Sequence, residues 1–525
     1  MLVFVIALAS GCHSSAPIPV PLRVPNGVTV AVTDAPGVFS TYDFATYQVD
    51  VTSLTVTDAD GNVTQLLPAP TRVDFARYDG TAEFVSTATV LAGKYSGAVM
   101  TLDFSHADIR VNDYATRTVV PITTIEDGDG RPLTTVDVPV MLGGGVTAVS
   151  IGRSSAARLT MDFDLAASDA VDSSNSVLMV RPVVAADLAP QDPKFQRLRG
   201  VITAVDSGGF TVDMRPFATS LAAGGQSFGD FTVDVSDATA YDVDWQVYQG
   251  SGGLAQIAAL QLPAPVTVMG TFNPADGHIV ATDVLAGAGM APGNRDAVQG
   301  TVTQRQGDTL QLHDAVLTRA GGGPDFIGNA TLLVDNTTAV TRQFDPSAHT
   351  VGDVSVGQRI SAIGVVSNPA PSALTVDATN GNGWIRMEPA TVSGSIQARG
   401  NSDSDPFTFT VQNIEGSPVS FYDFTGTGAD PQDDADPQNY LVVPPVTRPT
   451  EPTYKVIPLG EPAILRGFVE PFGKAAGTAD FYAPEVLNIP AQAAWAFISG
   501  GSPTPDDVQP GKGQALNVDL GGTGA

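Results

Sequence analysis

The acidic pairs best spaced for holding an ion are Asp58 and Asp60 in "DADGN" (58–62), and Asp127 and Asp129 in "EDGDG" (126–130). Carboxylates two residues apart around glycine can converge on calcium, although neither stretch extends to a full twelve-residue loop with a closing Glu. Asp and Gly also favour hairpin turns for backbone reasons alone, and that is the preferred reading of both. Asp162 and Asp164 share one face of "RLTMDFDL" (158–165), where they can approach Asp34. That trio could hold a cation, but a solvated sheet face is preferred. Sugar stacking would fall to Trp245 and Tyr248 in "YDVDWQVYQG", with Trp384 and Trp495 as alternatives, against a default of aromatic burial. His13, His106, His278, His313 and His349 are scattered, none at ligand spacing from another, and each is read as an ordinary surface or packed residue. HExxH, GxSxG, P-loop and CxxC patterns do not occur. No catalytic residue is assigned and no cofactor is expected, calcium being the one ion left open. A polysaccharide-acting enzyme, which needs two carboxylates across a cleft, remains an alternative.

Cys12 is the one cysteine in 525 residues, so the chain makes no internal disulfide and no thiolate metal site. It follows "LVFVIALA" (2–9), an apolar run too short to span a bilayer but suited to a signal peptide. "Ala-Ser-Gly-Cys" resembles a bacterial lipobox. The resemblance implies diacylglyceryl transfer to the Cys12 thiol and cleavage after Gly11, giving a membrane partner through the lipid. No Lys or Arg precedes the run, so the natural start is expected upstream. His13, rather than Asp, follows the cysteine, which points to the outer membrane of a bacterial envelope. Residues 12–26, rich in Pro and Ser, read as a tether after the leader at 1–11.

The charge is one-sided, 26 basic against 55 acidic residues for a net −29. Such a surface repels nucleic acid and anionic lipid, so no nucleic-acid partner is expected. The elements that must position these groups are strands. "VTVAVTDAPG" (28–37) is a strand ending in a turn, and "YQVDVTSLTVTDADGNVTQLL" (47–67) is a hairpin about Asp60-Gly61-Asn62. "RLTMDFDL" alternates with Leu159, Met161, Phe163 and Leu165 on its apolar face. No long amphipathic helix is evident. The first unit, 27–190, is predicted to be an antiparallel β-sandwich. Its motifs "VTVAVTDAPG", "LAGKYSGAVMTLDF" and "LTMDFDLAASDAV…VLMVRPVV" resemble a family of bacterial lipoprotein domains, domain-of-unknown-function family four-three-eight-two. The resemblance implies a transthyretin-like or carbohydrate-binding-like sandwich and no established activity.

Three repeats follow. "RGVITAV" (199–205), "QGTVTQR" (299–305) and "SGSIQAR" (393–399) each place a glycine second: Gly200, Gly300 and Gly394. A second glycine follows in each copy, at Gly270, Gly364 and Gly467. Glycine inside a strand marks a bulge or sharp bend, as in a small barrel. Three OB-like β-barrels are therefore predicted, at 197–290, 297–385 and 390–490, joined by Gly- and Pro-rich junctions at 189–197, 286–297 and 380–390. The pattern resembles domain-of-unknown-function family five-six-six-six. "GADPQDDADPQNY" (428–440) reads as a loop in the third copy, and 491–525 as a loose tail. The chain is thus expected to be all-β and non-enzymatic. Its expected role is binding or scaffolding of glycans or envelope proteins, or, alternatively, a purely structural spacer.

Overall fold

The computed structural model describes residues 25–34, 42–78, 81–113, 118–142, 149–152, 156–188, 194–216, 225–290, 295–320, 324–370, 373–381, 383–402, 405–444, 457–475 and 479–488. Cys12, His13, Trp495, the expected leader and tail, and the expected tether as far as residue 24 lie outside the described residues; Pro25 and Asn26, expected in the tether, begin the first strand. Nearly all regular structure is strand, as the alternating pattern predicts.

The first unit contains β1 (Pro25–Thr33), β2 (Tyr42–Asp58), β3 (Val63–Gln65), β4 (Thr71–Asp74), β5 (Thr81–Leu91), β6 (Gly93–Asp113), β7 (Thr118–Pro121), β8 (Thr124–Asp127), β9 (Thr135–Leu142), β10 (Val149–Ile151) and β11 (Ala157–Phe163). A single helical turn, α1 (Leu165–Ser168), leads to β12 (Asp169–Asp172), β13 (Val177–Val180) and β14 (Val184–Asp187). One sheet runs β5-β1-β11-β14. The facing sheet is built on the long β2–β6 pair, with β3 and β4 on one flank and β7, β9 and β10 on the other. β8, β12 and β13 form a small third sheet. β9 bonds to both β6 and β14, closing one side of the sandwich. The pairing is mostly antiparallel, but β1–β11, β9–β14 and β8–β13 are parallel. β5 and β6, separated at Ala92, pass into opposite sheets. Leu159, Met161, Phe163 and Leu165 are all buried, as the alternation predicts. Phe163 meets Phe75 and Tyr47 edge to face, at 4.8 and 5.6 Å between ring centroids.

The first repeat holds β15 (Phe195–Val205), β16 (Gly209–Met214), β17 (Asp230–Asp234), β18 (Ala240–Val243), β19 (Gln246–Gln249), α2 (Gly250–Ala259), β20 (Ala264–Asn273) and β21 (His278–Ala286). β15, β16, β17, β21 and β20 close on themselves, with β17–β21 as the one parallel contact of the ring. The second holds β22 (Asp296–Gln306), β23 (Thr309–Thr318), β24 (Pro324–Leu333), β25 (Ala339–Arg342), β26 (Asp345–His349), β27 (Arg359–Asn368), β28 (Thr375–Asp377) and β29 (Trp384–Glu388). Its ring is β22-β23-β24-β28-β27, closed the same way. The third holds β30 (Ala390–Arg399), β31 (Phe407–Ile414), β32 (Ser417–Pro418), β33 (Tyr440–Val443), β34 (Pro462–Val469) and β35 (Phe481–Asn488), with the ring β30-β31-β33-β35-β34. Each is a five-stranded barrel of OB-like order, a meander of three strands followed by a pair that returns to both its edges.

The repeat glycines are explained by this closure. A side-chain carbon at Gly300 would fall 2.9 Å from the His313 carbonyl oxygen, and one at Gly364 2.7 Å from that of Asp377. At Gly200, Gly270, Gly394 and Gly467 it would be closer still to the carbonyls of Asp213, Val280, Thr410 and Tyr482. All six sit where one strand closes tightly over its neighbour; Gly270, Gly300, Gly394 and Gly467 fall at a shift in pairing register, and Gly200 and Gly364 two residues from one. A threonine device also repeats. Thr239 Oγ1 donates to Ala281 O and accepts from Ser236 N, at 2.8 and 2.9 Å. Thr338 Oγ1 does the same with Ala378 O and Asp335 N, at 2.8 and 3.0 Å.

Of the expected junctions, 189–193 and 291–294 lie outside the described residues, and the described parts of neighbouring units are in direct contact. β15 pairs in parallel with β5, carrying the sandwich sheet into the first barrel. Phe84 of the sandwich packs on Phe231 and Phe272 of that barrel, in one continuous core. The stretch expected as the 380–390 junction carries β29, bonded to β25 and β27, with Trp384, Ile385, Arg386 and Met387 buried. Asp314 accepts from Asn112 Nδ2 of the sandwich and from Ser417 Oγ of the third barrel, at 3.0 and 3.2 Å. The second and third barrels also share Asp423, which bonds Thr303 O through its amide and Gln304 Nε2 through its carboxylate.

Candidate functional site

The most concentrated chemistry in the described residues is a set of buried ion pairs at the contacts between units. Glu83 on β5 is fully buried between Arg197, whose Nε meets Oε2, and Arg199, whose Nε lies 2.7 Å from Oε1. Further along, Glu388 accepts from Arg359 Nε at 3.2 Å, Ser361 Oγ at 2.6 Å and Gln299 Nε2 at 2.9 Å. Burial alone would push Glu388 up, but the Arg359 guanidinium and these donors outweigh it and hold the carboxyl below its ordinary value, with Arg197 also contributing. Arg359 Nη1 continues to Glu415, 2.5 Å away, and Glu415 accepts the Thr391 amide of the third barrel. Arg386 on β29 places one nitrogen against Asp242 on β18 and the other against Asp283 on β21. Burial pushes Asp242 above its ordinary value despite the Arg386 charge that opposes it. All four units contribute to this ladder of buried charges.

At one end of the sandwich Asp34 reaches the turn at Asp164 and Leu165, and Asp164 stands past the end of β11 rather than on its face with Asp162. Thr33 pairs with Asp162 in the β1–β11 register, and Asp34 Oδ1 accepts the Leu165 amide at 3.2 Å. Asp164 caps α1 by accepting the Ala167 amide at 2.8 Å, and burial raises its pKa. Tyr47 Oη donates to the buried Asp169 at 3.2 Å, and burial pushes that carboxyl well up. These acids sit among main-chain donors around the turn at α1.

The two acidic loops are hairpin turns in which carboxylate oxygens take up main-chain amides. Asp58 Oδ1 accepts the amides of Asp60 and Asn62, both at 2.9 Å. Asp127 Oδ1 accepts those of Asp129 and Arg131 at 2.8 and 2.9 Å, which holds its carboxyl below the ordinary value. Asp129 pairs with Arg131 at 2.7 Å. Trp245 and Asp244 form the tight β18–β19 turn, both with positive φ, 68° and 50°. The Trp245 ring is half-buried, with the Arg295 guanidinium 4.5 Å from its centroid and its edge against the Ala297, Ile363 and Trp384 cluster of the second barrel. Tyr248 is half-buried against the core, opposite Tyr241. Trp384 is buried.

Of the histidines, His106 is exposed, and His313 bonds Asn329 Oδ1 at 2.9 Å. His349 lies between Asp345 and Asp353 at 3.3 and 3.7 Å. Among the described residues, His278 joins Asp234 and Asp276 in the group where a ligand atom from each residue lies within 4.8 Å of both others. The group is hidden in the sequence because Asp234 and His278 are 44 residues apart and meet only through the parallel closure of the barrel.

No curated protein matches the sequence. Among solved structures, MbnP from Methylosinus trichosporium is similar over 30% of this chain and 80% of its own, with 14% identity and a TM-score of 0.15. Residues 27–182, the sandwich, match the family described as "Domain of unknown function (DUF4382)".

Proposed function

We propose that this chain is a lipid-anchored, non-catalytic protein of the bacterial cell envelope that binds or scaffolds other envelope components, glycans among them, through a rigid body of four β units. The observation that carries the reading is the ladder of buried charges. Glu83, Arg386 and Glu388 are desolvated at contacts between units and answered there by charges from a neighbouring strand or unit. Ion pairs of this kind add little net stability compared with apolar packing, but they specify one arrangement and penalise others. A body so fixed suits a protein whose surfaces must hold a constant relation to each other and to an anchor. The lipobox-like sequence ending at Cys12 supports the anchor, and the three like barrels support a set of repeats similar to family five-six-six-six.

The test is a defined glycan array, including envelope polysaccharides, probed with the intact protein, alongside an assay for new reducing ends on the same polysaccharides. Binding without chain cleavage is expected. Release of reducing ends by the purified protein would replace this reading with the enzyme alternative.

A further inference from the structure

We propose that Asp234, Asp276 and His278 form a binding site for a divalent first-row transition ion, with Zn²⁺ as the probe. Asp234 is the last residue of β17 and His278 the first of β21, and the parallel register sets Asp234 opposite Val280. Asp276 stands in the turn just before β21. His278 Nδ1 lies 3.0 Å from Asp234 Oδ2. Asp276 Oδ1 accepts the His278 amide at 3.0 Å, and its Oδ2 accepts from Asn273 Nδ2 at 2.8 Å, which fixes the carboxylate beside the ring.

Zinc bonds to imidazole nitrogen and carboxylate oxygen are about 2.0–2.2 Å long, so two ligands of one tetrahedral ion lie about 3.4 Å apart. The three ligand atoms here are all within 4.8 Å. His278 Nδ1 and Asp234 Oδ2 already lie 3.0 Å apart, and the wider separations close by at most about 1.4 Å to reach tetrahedral spacing, through rotation of the Asp234 side chain, which is 40% exposed, and of Asp276 in its exposed turn. A neutral imidazole with two carboxylates suits a borderline ion such as Zn²⁺ better than Ca²⁺, which takes six to eight oxygens. Three protein ligands leave coordination positions open to solvent, where water or a group on a partner can bind.

An independent observation is that the barrel does not require these residues. The repeated threonine bonds to Ala281 and Ala378 align the first two barrels. Asp234 opposite Val280 then corresponds to Leu333 opposite Asp377, and His278 corresponds to Thr375. The second barrel closes through the same parallel pair with an apolar and a neutral residue at those positions. The acid–imidazole group is therefore an addition to the first barrel and not part of how the fold closes. The group sets two carboxylates beside one imidazole at a half-exposed corner that an ion can reach from solvent.

The experiment is calorimetric titration of Zn²⁺ into the intact protein, with Co²⁺ absorption as a report of coordination. His278→Ala, Asp234→Asn and Asp276→Asn are compared with His106→Ala, which removes an exposed imidazole elsewhere. Wild type and His106→Ala are expected to bind one equivalent, to show the visible Co²⁺ bands of an imidazole–carboxylate site and to melt higher with zinc. Each of the three ligand variants is expected to lose at least the ~10–100-fold that removal of a supporting second-layer contact costs a metal site. Asp276→Asn lies in a surface turn and keeps the test decisive if another variant does not fold. Zinc affinity unchanged in His278→Ala and Asp276→Asn, or equal binding of Ca²⁺ and Zn²⁺, would overturn the proposal.

Discussion

Arg386 is the residue whose removal should most clearly expose the cost of the buried charges. Its side chain is 4% exposed, and those of Asp242 and Asp283 are 4% and 2%. Arg386→Met keeps most of the stem and removes the charge, leaving two buried carboxylates with no cation between them. Breaking a buried pair in this way costs about 3–5 kcal/mol. A folding unit the size of the first two barrels loses ~2–4 °C per kcal/mol, so its transition should fall by ~6–20 °C. The loss depends on pH with a definite sign. Burial already raises Asp242, and the Arg386 charge opposes that rise. Without it the folded-state pKa climbs further, and the folded variant holds a proton that the unfolded chain releases at lower pH. Stability of the variant therefore falls as pH rises, and its deficit against wild type narrows from pH 8 to pH 5. Urea unfolding at several pH values reads both effects. Replacing all three residues together by Leu, Leu and Met should recover most of the loss. A deficit below about 1 kcal/mol with no pH dependence would show that water reaches the guanidinium and would refute the reasoning.

Gly394→Ala should destabilise the third barrel by about 1–3 kcal/mol or more, because the new carbon meets the Thr410 carbonyl. Gly252→Ala, in α2 with nothing within 4 Å, should instead be neutral or slightly stabilising in the same denaturant titration. Asp480 is pushed up to about 6 by burial, with Asp436 and Glu470 adding to the rise. A raised carboxyl favours the folded state at low pH, so third-barrel stability should decline as pH rises from about 4 to above 6. Asp480→Asn should flatten that decline, and unchanged midpoint shifts between pH 4.5 and 7.5 would contradict the assignment. Cys12→Ser should move the protein from the detergent phase to the aqueous phase of a cloud-point partition, and equal partition of both would remove the lipid anchor from the account.

The strands were legible because their pattern is local. "RLTMDFDL" alternates cleanly, and Leu159, Met161 and Phe163 are buried as that alternation requires. The six repeat glycines announced a bend before the structure supplied the carbonyls that require it. α2 was missed because "GSGGLAQIAA" opens with three glycines among four residues and makes a poor helix by propensity. The parallel β1–β11 and β9–β14 contacts could not be read, since nothing local records which distant strand lies alongside. The ion pairs were invisible for the same reason: Arg386 stands 144 residues from Asp242 and 103 from Asp283. A clue was present, however. Glu83 in "AEFV" and Arg386 in "WIRM" are charges within apolar strands, where burial without a partner costs several kcal/mol. The Asp234–His278 pairing had no such mark, because both residues look like ordinary strand ends.

The central claim is that the four units form one rigid body, and a distance distribution measures that directly. Cys12 is the only cysteine, so a Cys12→Ser background takes spin labels at chosen sites without interference. Val63 on the sandwich and Leu459 on the third barrel are 65% and 59% exposed and suit the labels. Pulsed electron double resonance between Val63→Cys and Leu459→Cys should give one narrow distance in the otherwise native protein, and a broadened one when Arg359→Met and Arg386→Met are added. A broad distribution in the native background would contradict the account.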